Sequence, residues 1–312
     1  MEITAVSPQE YDKHFNQTLC FNSGAFNALN EAKCESLHCL LFHDDKLRLG
    51  LIAGEQAGCL NSPFSAPYGG FSALDSSLQL SFIESAVQAL EAYGAGKGFN
   101  SVRLMLPPLF YDQAFLTKVT HVLHRFGWGL EGIDLNYYYA LARAEKEGPL
   151  PKMTYSARRN IRLAKENPFR LVKGTNKDSL LQAFALIKAN RDAKGYSLPL
   201  DENALLATSA VLPIESFLLY LEETPVAAAL VYLASPTVPL VVYWGDLPGY
   251  TSYKPMNLLT HELYLHYRKA GYACLDTGTA MLGELPNYGL AEFKESVGCV
   301  LSPRFLFVKS CL

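Results

Sequence analysis

The segment NYGLAEFKESVG, Asn287 to Gly298, holds one lysine, Lys294, between Glu292 and Glu295. A strand-like run ending near Asp276 precedes it. A cation fixed by its fold can hold an anion there, or stabilise negative charge as it develops in a reaction. The same lysine can equally sit on a helix surface, paired with Glu292 or Glu295. Asp276, in YACLDTG, is placed either to accept a proton as a general base or to cap the turn that follows. Glu292 and Asp246 are weaker candidates for the base.

A second group of charges lies in YSARRNIRLAKENPFRLV. From Lys152 to Lys173 there are seven basic residues against the one acid Glu166, in a chain of net charge -3. On a helix Arg158, Arg162 and Lys165 share one face with Arg159 beside it, a stripe suited to phosphate because guanidinium forks match phosphate oxygens in pairs. The alternative is a solvated helix face. Tyr243 and Trp244 either line a cleft or fill a core, and Lys254 either touches an anion or is a surface lysine.

Other chemistries find no support in the sequence. HELYLH places His261 and His266 five apart, one more than two zinc ligands on a helix face require, and the remaining histidines do not cluster, so no metal is expected. GxSxG, Walker A and GxGxxG are all missing. The seven cysteines are irregularly spaced without a CxxC, and reduced, buried thiols are expected. A pI near 6.2 gives no general attraction to nucleic acid or anionic membranes. No apolar run reaches the ~20 residues of a membrane span, and MEITAVSPQEYDKHF does not read as a secretory signal, so a cytoplasmic protein is expected.

The elements that must position these residues occur twice. LHCLLFHDDKLRLGLIAG reads as two strands around Asp44-Asp45; a loop, a helix over about 76–93 stopped by Gly94, Gly96 and Gly98, and the strand FNSVRLMLP follow. The second half repeats the order: ESFLLYLEETPVAAALVYLA around Glu222-Glu223, the strand VPLVVYWGD, a loop, a helix over about 256–270, and YACLDTG. This doubling predicts two copies of one α/β domain, residues 1–147 and 148–312, divided in the charged and proline-bearing segment 144–152.

Two stretches carry a family resemblance. YSARRNIRLAKENPFRLV and YGLAEFKESVGCVL resemble the basic helix and the closing Gly-Leu, Phe-Lys, Gly pattern of tandem GNAT-fold proteins of the Fem type, the FemABX and BioF2-like acetyltransferases, which are bacterial. The likeness covers roughly Lys152 to Ser310. It implies two GNAT-like α/β (α+β) domains, each a mixed, mostly antiparallel sheet flanked by helices, with the catalytic cleft in the second. It further implies an N-acyltransferase moving an acyl or aminoacyl group to an amine, such as a cell-wall precursor, UDP-linked acceptor or amino sugar. Lys294 would stabilise the developing charge, with Asp276 as catalytic partner. Arg158, Arg159, Arg162, Tyr243, Trp244, Lys254 and Phe293 would bind substrate, joined by Tyr68 from SPFSAPYGGF in the first domain, which is expected to shape the acceptor site. GYTSYKPMN lacks the glycines of the usual acetyl-CoA loop, which leaves acyl-CoA open as donor. A transfer RNA donor would need more basic surface than one helix. A binding protein that keeps the fold without catalysis is the competing reading.

Overall fold

The computed structural model describes residues 1–15, 19–75, 77–142 and 152–311. The chain divides into two compact units, Met1–Leu135 with Ser302–Leu312, and Asn136–Leu301. The expected boundary at 147/148 lies outside the described residues.

The first unit runs β1 (Glu2–Val6), α1 (Pro8–His14), α2 (Gly24–Leu29), β2 (Ser36–His43), β3 (Leu47–Gln56), β4 (Cys59–Ser62), β5 (Phe71–Ala73), α3 (Leu80–Lys97), β6 (Ser101–Met105), α4 (Gln113–Arg125) and into β7 (Gly129–Ala140). The hairpin around Asp44-Asp45 forms as predicted, β2 pairing β3 from Ser36↔Glu55 to His43↔Leu47. Helix α3 differs from the sequence expectation at its end. It continues through Gly94 and Gly96, and stops only at Gly98, whose left-handed φ of 77° closes it. Gly94 stays helical because its missing side chain gives room to Val102 and Cys311, either of which would lie about 3 Å from a Cβ there. Ile83, Ala86, Val87 and Leu90 of α3 bury against Leu40, Leu51, Leu60, Val102 and Leu104, one apolar helix stripe on one apolar sheet face.

The second unit continues from the end of β7 through α5 (Tyr155–Lys165), β8 (Phe169–Gly174), α6 (Lys177–Ala193), α7 (Glu202–Val211), β9 (Ile214–Leu221), β10 (Thr224–Tyr232), β11 (Leu240–Asp246), α8 (Pro255–Lys269), β12 (Cys274–Thr279), the small hairpin β13 (Met281–Leu282) and β14 (Leu285–Pro286), and α9 (Tyr288–Ser296) to the start of β15 (Val300–Ser310). Its strands lie in the order β7-β12-β11-β10-β9-β8. Strand β10 is buried along Val226–Tyr232 because it lies inside the sheet with α6 and α8 packed on it. In sequence, β2-β3-β4-α3-β6 and β9-β10-β11-α8-β12 follow one plan: an antiparallel meander, then a helix that crosses to a parallel strand.

The two copies differ at that parallel pair. In the first unit β4 and β6 are in register at four positions, Cys59↔Ser101 to Ser62↔Leu104. The seam continues as Gly69 N–H donates to the Met105 carbonyl at 2.8 Å, and Gly70 N–H to Ser62 Oγ at 3.0 Å. In the second unit β11 and β12 are in register only at Leu240↔Asp276, and beyond it the strands part.

Candidate active site

The gap between the parted strands is a cleft of about 500 Å³. One wall is β11 from Val241 to Asp246, the other is Thr277, Gly278 and Thr279 of β12; Phe293 and Lys294 of α9, Met256 in the first turn of α8, Met281 and Leu282 of β13, and the end of α6 complete it. The β11 wall is irregular: the register with β10 slips between Leu230↔Tyr243 and Val231↔Val241, leaving Val242 as a bulge residue at the cleft.

Lys294 reaches this site from a helix whose N-cap, Asn287, accepts from Leu290 N–H at 3.1 Å. It is 1% exposed, and its ammonium donates to three successive carbonyls, Thr277 at 2.7 Å and Gly278 and Thr279 at 2.9 Å each. The rings of Tyr137 and Trp244 lie 5.6 and 5.8 Å from Nζ. Where β12 loses its neighbour it still has carbonyls to satisfy, and the lysine supplies the donors that a strand would have supplied. Burial pulls the Lys294 pKa down to about 8, with Cys299 and Asp276 acting in the opposite direction. The alternative, an ion pair with Glu292 or Glu295, is not found among the described residues; Glu295 instead accepts from Tyr137 Oη at 2.8 Å.

Asp276 is fully buried and does not line the cleft. Its Oδ1 accepts from Gly278 N–H at 2.8 Å and from Asn136 Nδ2 at 2.9 Å. The first of these bonds closes the turn in which Thr277 bulges, and Gly278 takes a φ of 75° there. Of the two roles open to Asp276 in the sequence, the turn cap is the one its placement serves, because a carboxylate without a path to the cleft cannot meet a substrate proton.

The remaining candidates separate. Trp244 and Phe293 line the cleft, ring centroids 6.2 Å apart. Tyr243 does not line it; its side chain points the other way along β11, under the Arg191 guanidinium at 5.8 Å. Lys254 is the left-handed residue before α8 (φ 59°), and its side chain is not on the cleft wall. The stripe on α5 corrects the sequence reading most clearly. Ala157, Ile161 and Ala164 are the buried face, so Arg158, Arg159 and Arg162 point to solvent and none lines the cleft. Tyr68 is 1% exposed in the first unit, its hydroxyl donating to Tyr111 Oη and its ring 5.9 Å from the Arg304 guanidinium. It is a core residue there, not a surface for substrate.

Sequence reasoning passed over Asn190, Arg191 and Lys194 at the end of α6, and ranked Asp246 low. All four line the cleft. Asn190 Nδ2 donates to the Asp246 carbonyl at 2.6 Å and to Asp246 Oδ1 at 3.2 Å. The approach requires glycine at 245, where a Cβ would lie 2.7 Å from Asn190 Cγ. Burial raises the Asp246 carboxyl above the ordinary carboxylate range, with Lys194 and Asn190 pulling the other way. The signal available in the sequence was RDAKGY, a helix end with two cations before a glycine.

Among the described residues no group of three metal-ligating side chains occurs, and no helix is long and apolar enough to cross a membrane. No disulfide joins the described cysteines, of which Cys39 and Cys299 are buried and the other five are half-buried, against the expectation of buried thiols.

Residues 151–295 match the acetyltransferase (GNAT) domain family. No curated protein sequence matches the chain. Among solved structures, FemX superposes with a TM-score of 0.71 at 12% identity over 99% of this chain and 97% of its own. L-PGS from Bacillus licheniformis gives 0.62 at 14% identity over 96% and 90%. A tandem GNAT protein from the clavulanic acid biosynthesis pathway gives 0.54 at 7% identity over 100% and 98%. The doubled plan agrees with these likenesses, and the chain has the fold of the tandem GNAT proteins, similar in build to FemX.

Proposed function

We propose that the protein transfers an acyl or aminoacyl group from an activated donor to an amine, in the cleft of the second unit. The observation that carries this reading is the parting of β11 from β12 over a buried ammonium. An extended donor can lie along the free edge of β11, using main-chain hydrogen bonds that β12 no longer takes. The first turn of α8 has no side-chain cap, so its N–H groups suit a donor phosphate beside Met256. Attack by an amine builds negative charge on the acyl oxygen, and the Lys294 charge at the cleft wall stabilises it. All three Lys294 protons are already donated to carbonyls, so it acts as a fixed charge and as a strut for β12 rather than as a donor to substrate. Acyl-CoA is the favoured donor, with aminoacyl-tRNA as the alternative; a cell-wall precursor or amino sugar is the favoured acceptor class.

The spent protons of Lys294 also support a second reading, a binding protein that keeps the cleft without turnover. Thermal-shift titration with acetyl-CoA, longer acyl-CoAs and a UDP-linked muropeptide, followed by product analysis, separates the two. A ligand at ~100 times its dissociation constant adds ~2.7 kcal/mol of stability. A shift accompanied by acylated amine supports transfer; a shift with no product under any donor supports binding alone.

A further inference from the structure

The end of α6 and the end of β11 form a second chemical locus in the cleft, and nothing in the fold alone assigns it. Asn190 is 5% exposed and both of its bonds to Asp246 come from one amide nitrogen, so the carboxylate is held at the cleft wall by a buried clamp. Gly245 lets that clamp approach. Arg191 and Lys194 stand on the same turn of chain and line the same cleft. Arg191 is braced over the Tyr243 ring, while Lys194 is exposed. The cation-bearing turn and the acid thus sit together, the acid half-buried and positioned by Asn190, the cations at the same cleft wall. Among the described residues neither Arg191 nor Lys194 is tied up in an ion pair.

We infer that this locus is the acceptor subsite: Asp246 receives the proton of the acceptor ammonium, and Arg191 with Lys194 binds an anionic group carried by the same acceptor. This rests on the transfer reading above and adds the acceptor's chemical class, an amine that also bears a carboxylate or a phosphate. A lone acid in a cleft would suit any amine. Two cations beside it disfavour a bare ammonium and reward one accompanied by negative charge. In the step, the acceptor nitrogen loses one proton to the Asp246 carboxylate, which passes it to solvent. The nitrogen then bonds to the acyl carbon. The carbon–sulfur or carbon–oxygen bond to the donor breaks with its electron pair on the leaving group, which takes the second proton released from nitrogen.

The charged side chains that line the cleft with Asp246 are Arg191 and Lys194 from α6 and Lys294 from α9; β10 opposes it with Ala227, and α8 contributes Met256. Burial raises the Asp246 pKa, which makes its carboxylate a stronger proton acceptor than an exposed aspartate.

The test uses the full-length protein and two matched probe pairs: lysine with its methyl ester, and glucosamine 6-phosphate with glucosamine. Binding is measured by calorimetry without donor, and transfer is measured separately with acetyl-CoA. The wild type should bind the anionic member of at least one pair ~10-fold or more tighter than its neutral partner, and R191A/K194A should lose that preference. The pair that shows it tells carboxylate from phosphate. D246N should keep the preference, lower kcat by about 100-fold or more, and lose the acidic limb of the pH profile. Equal binding of charged and neutral probes by the wild type, or a preference that survives R191A/K194A, overturns the subsite. An unaltered pH profile in D246N overturns the role of the acid. If discrimination is found but no acyl transfer occurs with any donor, the subsite stands and the transfer reading fails.

Discussion

Lys294→Met tests whether an ammonium stands in for a missing strand. Methionine nearly matches the length of the lysine and leaves the carbonyls of Thr277, Gly278 and Thr279 without their donor. Hydrogen bonds from a charged group contribute about 1.5–3 kcal/mol each, so the three together are worth roughly 4–9 kcal/mol. Against this, methionine escapes the cost of burying a charge. A pKa drawn from 10.5 to about 8 puts that cost at roughly 3 kcal/mol. The bonds win, and K294M should be less stable by roughly 1–6 kcal/mol, read from urea unfolding as a lower midpoint at unchanged slope. The pH dependence supplies a second readout. The unfolded chain holds the lysine proton up to about 10.5 and the native protein releases it near 8, so between those values the unfolded state binds more protons and the contribution of this site to stability rises with pH. K294M should lack that rise. A variant within about 1 kcal/mol of the wild type across this range would refute the idea that the lysine holds β12 in place.

Three further outcomes follow from single contacts. Asp276→Ala removes the acceptor of Gly278 N–H and Asn136 Nδ2 at a fully buried position and should cost about 3 kcal/mol, measurable by the same unfolding assay. Gly245→Ala drives a methyl to within 2.7 Å of Asn190 Cγ; overpacking of this kind costs about 1–3 kcal/mol, and the displaced clamp should lower kcat by more than the melting temperature alone would suggest, so both are measured on one preparation. The triple change R158A/R159A/R162A should leave stability within about 0.5 kcal/mol per site and the calorimetric affinity for acetyl-CoA within about twofold, since these side chains face solvent; a large loss of affinity would return the stripe to the site.

What the sequence made legible was local. The hairpin at Asp44-Asp45, the doubled order of elements and the helix bearing Lys294 all follow from periodicity and turn residues, and each is present in the fold. The isolation of Lys294 among acids marked it correctly as unusual, yet the partners it suggested, Glu292 and Glu295, are neighbours in sequence. The partners it has are carbonyls some fifteen residues upstream, exposed to it only because β11 and β12 part. Charge density misled for a related reason. A run of arginines on α5 is conspicuous in sequence, but the direction of a helix face depends on which residues pack, and Ala157, Ile161 and Ala164 turn the arginines outward. Arg191 and Lys194 form no conspicuous run, and their meaning comes from the strand end that α6 covers. The C-terminal residues Leu306–Ser310 pair with β6 in the first unit, a contact across two hundred residues that no local pattern announces.

The comparison of the two copies shows what it takes to turn this plan into a site. In the first unit the parallel pair stays zipped through four positions, and Gly69 N–H to the Met105 carbonyl and Gly70 N–H to Ser62 Oγ continue the seam. Opening such a seam exposes carbonyls and N–H groups at a cost of about 1–3 kcal/mol apiece wherever water cannot reach them. The second unit meets that cost with three side chains. Asp276 takes the N–H of Gly278, Lys294 takes the carbonyls of Thr277, Gly278 and Thr279, and Asn190 takes the carbonyl of Asp246 on the facing strand. Both walls of the cleft are therefore held from behind, which leaves the β11 edge and the Asp246 carboxylate available to a ligand. A lysine placed in the first unit would find no such carbonyls to bind, and zipping the second unit would leave Lys294 buried without acceptors. The open seam and the buried ammonium each require the other, and for this reason a cation in an acidic, glycine-bounded helix marks the place where the seam opens.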